Sequence, residues 1–547
     1  MKATHLAALL ALPLAATPLF AAEPAPPKLI VAISIDQFSA DLFAQYRQHF
    51  DGGLKRLSEG VVFPSAYQSH GGTETCPGHS VILTGSRPAR TGIFANSWYD
   101  QSLERPDKKV YCAEDPTISG SDSGSKRVVS PYLLRVPTLG DWMKRADPRA
   151  RSVVVSGKDR AAVMLGGHDS DQRWYWSNDR FAGTGKPSPA AAVAAVNGDV
   201  AADLAKDFDA MALPQVCRPR SRAVDVAGGG APVGAGRFAR DSDDPINAVR
   251  FMASPEVDAA TLDLAAGLRG EMRLGEGPAT DLLAIGLSAT DFIGHIYGTQ
   301  GSEMCLQLMA LDRALGDFFR KLDGAGIDYL VMLTADHGGS DIPERKNQHA
   351  IPGAGRVDAN LAPSVVNAGL AAKFGLKAPA LLAGDAFGDM YVDRSIARPT
   401  RKRVLDSAVN TYRTHPQVEA VFTRPQLAAA PVPTGRPELW SLLDRAKASF
   451  DPERSGDFVV VLKFDVTPVY NTMSGSVAAH GSPWDYDRRV PLLFWRKGLV
   501  PFEQSLPVES VDILPTLAAI VGVPIPPGSI DGRCLDLDEG PGTSCRP

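Results

Sequence analysis

Several protein classes are excluded by what this sequence lacks. It has no run of like charge long enough to act as an interaction tail. Its net charge is −5, without the basic excess that announces a nucleic-acid partner, so no nucleic-acid binding is expected. Beyond the N-terminus no apolar run reaches the roughly 18 residues that span a bilayer. No internal repeat is visible, which leaves out repeat arrays. Cysteine is sparse, with six in 547 residues: Cys76, Cys112, Cys217, Cys305, Cys534 and Cys545.

What is present describes a globular chain with apolar surface for a large core, 44% hydrophobic and 22% charged. The length allows roughly two to four domains, or one large domain with insertions. Gly (51) and Pro (43) both exceed average use, so long surface loops are expected.

The chain begins MKATHLAALLALPLAATPLFAAEPAPPK. Lys2, an apolar stretch and the small residues Ala21 and Ala22 read as a secretory signal peptide over residues 1–22, followed by a linker. A short membrane anchor is the competing reading, weakened by Pro13 and Pro18. The mature chain, residues 23–547, is therefore expected in the periplasm or outside the cell, with no membrane anchor after cleavage. Some cysteines should pair there, and Cys534 with Cys545 is the first expectation.

Short β-rich runs recur at 28–36, 152–160, 281–291, 328–339, 458–464 and 490–498. Continuous runs of this kind read as strands buried on both faces. A helical pattern at 303–326 closes on glycine. The alternation argues for an α/β fold with an open, mostly parallel central sheet flanked by helices. Two segments interrupt it, about 170–275 and 341–455, and read as insertions over the active face. Such sheets bind ligands beyond the C-terminal ends of their strands.

Six polar residues fall at those ends: Asp36, Asp291, His295, Asp336, His337 and His480. Each alone has a structural explanation, such as a helix cap for Asp36 or a surface position for His480. Asp291 and His295, at i and i+4, share one helix face. Asp336 and His337 reach one site only if the strand ends there, which HGG allows. Three carboxylates with three imidazoles suit Zn, Mn, Fe or Co rather than Mg or Ca. Six ligands are too many for one open tetrahedral ion and suit two.

The stretch TETCPGHS adds a nucleophile. Pro77 fits the first turn of a helix running over 76–84. That puts Thr75 at or beside the N-cap, where free N–H groups favour an anion. Thr75 is a plain cap in isolation; beside a metal it becomes an activated alkoxide. Cys76 lacks the sulfatase pattern around it, Thr73 lies too early, and His79 and Ser80 fall inside the helix in packing or hydrogen-bonding roles.

DQFSADL, TETCPGHSVILTG, GIFANSWYD, SGKDRAAV, TDFIGHIYG, TADHGG and AAHGSPW occur in that order over residues 36–487. In this the chain resembles the alkaline phosphatase superfamily, and within it the phosphate-irrepressible, threonine-nucleophile alkaline phosphatases with a type I phosphodiesterase/nucleotide pyrophosphatase-like domain. The resemblance implies an alkaline-phosphatase-like fold and two Zn2+ ions, with Mn or Fe as alternatives. It implies that Asp36, Asp336 and His337 hold one ion, with Thr75 as fourth ligand and phosphoryl acceptor. Asp291, His295 and His480 would hold the other. Asn96, Lys158 and Arg160 would contact the phosphoryl oxygens. The implied activity is hydrolysis of small-molecule phosphate monoesters through phosphothreonine, with inorganic phosphate as product. Lys158 and Arg160 would add two positive charges opposite the two negative charges of a monoester, whereas a diester carries one. The alternative is a nucleotide pyrophosphatase/phosphodiesterase with the same metal core. A sulfatase, an intracellular manganese mutase and a non-catalytic binding protein fit the residues less well.

Overall fold

A computed structural model describes residues 25–545 apart from 107, 186–190, 352, 378, 385–386 and 541. The expected signal peptide, residues 1–22, lies outside the described residues. Among the described residues no helix is long and apolar enough to cross a membrane.

The strands in chain order are β1 (Leu29–Ile35), β2 (Val61–Tyr67), β3 (Ser97–Tyr99), β4 (Lys109–Tyr111), β5 (Ser152–Ser156), β6 (Gln172–Ser177), β7 (Arg180–Gly185), β8 (Asp281–Leu287) and β9 (Tyr329–Thr334). They continue with β10 (Gly355–Arg356), β11 (Leu381–Leu382), β12 (Gly388–Val392), β13 (Val418–Thr423), β14 (Phe458–Leu462), β15 (Val466–Thr467), β16 (Arg489–Arg496), β17 (Phe502–Glu503) and β18 (Val508–Glu509). The ten-stranded central sheet has the order β17-β2-β16-β9-β1-β8-β5-β6-β7, with β18 also on β2. From β9 through β6 the neighbours run parallel. β16 is antiparallel to both β2 and β9, and β7 closes one edge as a hairpin with β6. The expected α/β architecture with a mostly parallel sheet is what the chain forms.

Every residue of β1, β5, β8 and β9 is buried. Their Val, Ile and Leu side chains are each worth about 1.5–3 kcal/mol of burial, which is why unbroken apolar runs occupy the middle of the sheet. The helix Ser302–Gly324 buries Leu308, Leu311, Leu315, Phe319 and Leu322, spaced three or four apart, and packs on the helix Pro255–Met272. It matches the helix expected over 303–326.

Three features depart from the sequence expectation. Residues 458–464 do not join the central sheet: β14 lies between β12 and β13 in a four-stranded antiparallel sheet. A buried FVVVL run looks the same in either sheet, and periodicity does not say which sheet takes it. Residues 172–185, inside the first expected insertion, extend the central sheet as β6 and β7. β2 is not among the strands expected from the sequence; it contains Pro64, a residue uncommon in interior strands. The pairing of β2 with β16 accommodates it by a register shift between Val490 and Leu492. Within 341–455, the helices Pro363–Phe374 and Arg398–Arg413 pack with the small sheet around Val404, Tyr412 and Phe458, a core separate from the main one.

The register positions the site. Ile35 pairs with Leu287, Ser34 with Thr334 and Ser156 with Gly286, so β1, β9, β8 and β5 all end at one level. β2 runs the same way as β9, and its end leads to Thr75. β16 enters from that same edge, nine residues after His480.

Candidate active site

The helix Thr75–Ile82 starts on Thr75, with Glu74 as an extended N-cap that makes no side-chain cap. Thr75 is therefore the first helical residue, next to the cap, and is 1% exposed. The next backbone N–H, of Cys76, donates to Asn96 Oδ1 at 2.8 Å. That bond fixes the amide of Asn96 with its oxygen on the helix and its NH2 group free to turn to a ligand. Asn96 N in turn donates to Glu74 Oε2 at 2.5 Å.

The six residues expected as metal ligands converge. Asp36 follows β1, Asp336 and His337 follow β9, and Asp291 and His295 lie on the helix Ala289–Tyr297 after β8. His480 arrives on the loop before β16. Nε2 of His295 and of His480 lie 3.4 and 3.3 Å from Asp291 Oδ1. His337 Nε2 lies 3.2 Å from Asp336 Oδ2, and the His337 and His480 rings stack at 3.6 Å.

The other ring nitrogen of each histidine shows what these contacts are for. Nδ1 meets a backbone carbonyl in all three: Ala478 O at 2.9 Å for His295, Gly338 O at 2.8 Å for His337, Thr73 O at 2.8 Å for His480. A carbonyl only accepts, so Nδ1 carries a proton, and Nε2 is the ring atom each histidine can offer inward to a cation. Carboxylate oxygens and imidazole Nε2 atoms then face each other, an arrangement that can take a cation between them. Asp36 Oδ1, Asp291 Oδ1, Asp336 Oδ2 and His337 Nε2 are buried with no hydrogen-bond partner. The donor set fits a pair of N/O-liganded divalent ions. Two buried groups have ligand atoms within 4.8 Å of one another: Asp291, His337 and His480; and Asp36, His79 and Asp336. This grouping differs from the division implied by the resemblance, because His337 stands by His480 and His79 joins the second group.

Both cations of SGKDR point into the same place. They follow β5, with Lys158 at the N-cap of the helix Asp159–Gly166, which packs on the helix of Thr75. Lys158 Nζ lies 2.8 Å from Asp36 Oδ2, also contacts Asp291, and sits 4.9 Å from the Phe292 ring centre. Burial works against its charge, but Asp291 and Asp36 outweigh this and raise its pKa. Arg160 Nη2 lies 3.4 Å from Thr75 Oγ1. Asp159, beside it, accepts from Tyr111 OH at 2.6 Å and from Arg127 Nε at 3.1 Å. Burial raises the carboxyls of Asp291 and Asp336, but the surrounding cations and imidazoles hold both well below the usual range.

The family described as type I phosphodiesterase / nucleotide pyrophosphatase matches residues 30–483. The chain is 52% identical to alkaline phosphatase PhoK of Sphingomonas sp over 524 residues, 95% of this chain and 93% of that protein. The chain belongs to the alkaline phosphatase superfamily. It is also 47% identical to alkaline phosphatase PhoD of Zymomonas mobilis over 522 residues, 95% of this chain and 89% of that one. The crystal structure of wild-type alkaline phosphatase PafA superposes with a TM-score of 0.79 at 25% identity, covering 94% of this chain and 99% of that one.

Two features of this superfamily member escaped sequence reading. His79 is fully buried, with Nε2 3.2 Å from Asp36 Oδ1 and Nδ1 2.9 Å from Thr75 O and 3.2 Å from Asp336 Oδ2. A signal was available: His79 is four residues after Thr75 on one helix, hence on the same face. Cys76 is not a free thiol but is bonded to Cys112, and Cys217 pairs with Cys305. The expected Cys534–Cys545 bond is present. Cys112 ends the β3–β4 hairpin, and its N–H donates to Asn96 O at 3.0 Å. The disulfide therefore ties the helix of Thr75 to the hairpin that carries Asn96.

Proposed function

We propose that this alkaline phosphatase hydrolyses phosphate monoesters by passing the phosphoryl group through Thr75, using two zinc ions, in the periplasm or outside the cell. The observation that carries the reading is Arg160 Nη2 at 3.4 Å from Thr75 Oγ1, beside the buried carboxylate–imidazole cluster.

Thr75 sits where a helix N-terminus and a guanidinium both favour an incoming phosphate. Its Oγ1 attacks phosphorus in line, the bond to the leaving oxygen breaks, and the leaving alkoxide collects a proton. Water then attacks the phosphothreonine, releases inorganic phosphate and restores the hydroxyl. Asn96 NH2 and Arg160 hold the non-bridging oxygens throughout, so their donors are already placed where charge develops. Lys158 offsets the charge of Asp36 and Asp291 next to the entering dianion. Asp36, Asp291, Asp336, His337, His295 and His480 would hold the metal pair, which when bound supplies activation of hydroxyl and water and stabilises the leaving oxygen.

Imidazole and carboxylate donors suit zinc, and three disulfides suit an oxidising compartment. The test is turnover of p-nitrophenyl phosphate by the zinc-loaded protein against Thr75→Ala, with trapping of phosphate on Thr75 at acid pH. Equal turnover by Thr75→Ala overturns the covalent route. The diesterase reading keeps the same core; bis-p-nitrophenyl phosphate turned over faster than the monoester would favour it.

A further inference from the structure

A groove of about 1010 Å³ begins where the metal ligands end. Gly339 and Ser340, two and three residues past His337, line it. Ser340, Asp465 and Tyr486 also line the adjoining cavity that has His480 on its wall, so the groove shares a wall with the cavity beside the metal ligands.

Its walls carry four cations, Arg220, Arg222, Arg345 and Lys346, against Asp41, Asp341 and Asp465. Each carboxylate already has a cation. Arg345 Nη1 lies 2.5 Å from Asp341 Oδ1, Lys346 pairs with Asp465, and Asp41 faces Arg489 at 3.6 Å. Arg220 and Arg222 have no carboxylate within 4.0 Å among the described residues. Arg345 Nη2 is buried without a hydrogen-bond partner on a residue only 7% exposed. On a chain of net charge −5 this is a local surplus of guanidinium.

Arg220 is held in place, and Arg222 is anchored through its backbone. Arg220 lies over the Tyr46 ring at 4.5 Å and donates to Gln45 Oε1 at 3.5 Å. Its turn, Gln215–Arg220, is tied to the helix Ser302–Gly324 by Cys217–Cys305. Arg222 N donates to Gly234 O at 3.1 Å. A fixed guanidinium fork matches phosphate oxygens in pairs, and less is lost on ordering it than on ordering a free side chain.

We propose that this groove binds a second phosphate carried by the leaving group, so that doubly phosphorylated monoesters are preferred to their singly phosphorylated counterparts. The proposal rests on the phosphomonoesterase reading. Catalysis occurs at Thr75, and the groove contributes by holding the far end of the substrate. Long-range attraction to the groove falls with salt, because exposed charges are screened over about 10 Å at 0.1 M.

The test uses the zinc-loaded full chain and a matched pair, fructose 1,6-bisphosphate and fructose 6-phosphate, followed by phosphate release. The expected ratio of kcat/KM is about tenfold or more in favour of the bisphosphate, and it drops about tenfold in Arg220→Ala/Arg222→Ala. Added salt should lower the ratio in the native chain and less so in the variant. A ratio near one in the native chain overturns the proposal, as does a ratio unchanged by the double substitution. Should that variant fail to fold, Arg222→Glu, at an exposed position, makes the same comparison. Absence of release from both sugar phosphates and from p-nitrophenyl phosphate would instead defeat the phosphomonoesterase reading underneath.

Discussion

Arg160 reaches Thr75 directly: its Nη2 is 3.4 Å from Thr75 Oγ1. On the proposed route through Thr75, a guanidinium there faces the oxygens of the phosphate under attack. A monoester brings two negative charges and a diester one, so the two substrates differ in what they lose without it. Arg160→Ala is expected to lower kcat/KM for p-nitrophenyl phosphate by about 10²–10³, the usual cost of removing one donor to a developing oxyanion. Loss on bis-p-nitrophenyl phosphate should be smaller by about tenfold. Equal losses on the two substrates would remove Arg160 from the monoester preference.

The Cys76–Cys112 bond closes 36 residues of chain and is fully buried at both ends. Cys76→Ala/Cys112→Ala should cost about 2–4 kcal/mol in denaturant unfolding, from the loop-closure entropy restored to the unfolded chain. It should also cost activity, because Asn96 hangs between Cys76 N and Cys112 N. The loss is expected in kcat/KM for the monoester under conditions where the variant is fully folded. Native kinetics at lowered stability would show that the bond serves the fold alone.

His79 touches two expected ligands, Asp36 and Asp336, and the carbonyl of Thr75. Partners of this kind hold ligands in orientation, and removing one typically weakens metal binding about 10–100-fold. His79→Ala should therefore lose zinc to a chelator at lower chelator concentration than the native chain, measured by metal content after dialysis. Unchanged retention would assign His79 to packing.

The legible part of this protein was the part written in short range. Each strand end carried its polar residue within a few positions of an apolar run, so Asp36, Asp291 and Asp336 stood out, and parallel register brought them together. His337 was legible only because glycines follow it. What sequence could not show was long-range choice. β14 has the composition of a central strand and pairs elsewhere, because pairing partners are set by the 341–455 segment folded around it. Cys76 finds Cys112 rather than any other cysteine through the β3–β4 hairpin, whose strands are three residues each. Arg220 is positioned by Tyr46 and, through Cys217, by Cys305, both far away in sequence.

Asp141 gives a pH dependence that can be signed in advance. It is fully buried and completes a capping box with Thr138 at the start of the helix Leu139–Ala146. It accepts from Thr138 N at 2.8 Å, from Asp169 N at 2.8 Å and from His168 N at 3.0 Å, with His168 Nδ1 at 3.4 Å. Burial raises its pKa, but the bond to His168 and the backbone donors outweigh it, and the net direction is down. A lowered carboxyl stabilises the fold fully above its unfolded value of about 3.9, and that contribution is lost as pH falls through the folded value. The pKa of His168 is raised, first by its bond to Asp141 and against burial, so its share is full below about 6.5 and is lost as pH rises through the raised value. Asp141→Asn should therefore cost most near pH ~5, by about 1–3 kcal/mol from buried donors left poorly matched. The gap to the native chain should narrow toward pH ~3, below the unfolded value of about 3.9 and on the way to the lowered folded value, and slightly toward pH ~8, since His168 is partly exposed and screened. Urea unfolding at these three pH values measures it, and a gap that stays constant across them would mean that Asp141 acts by shape rather than by charge.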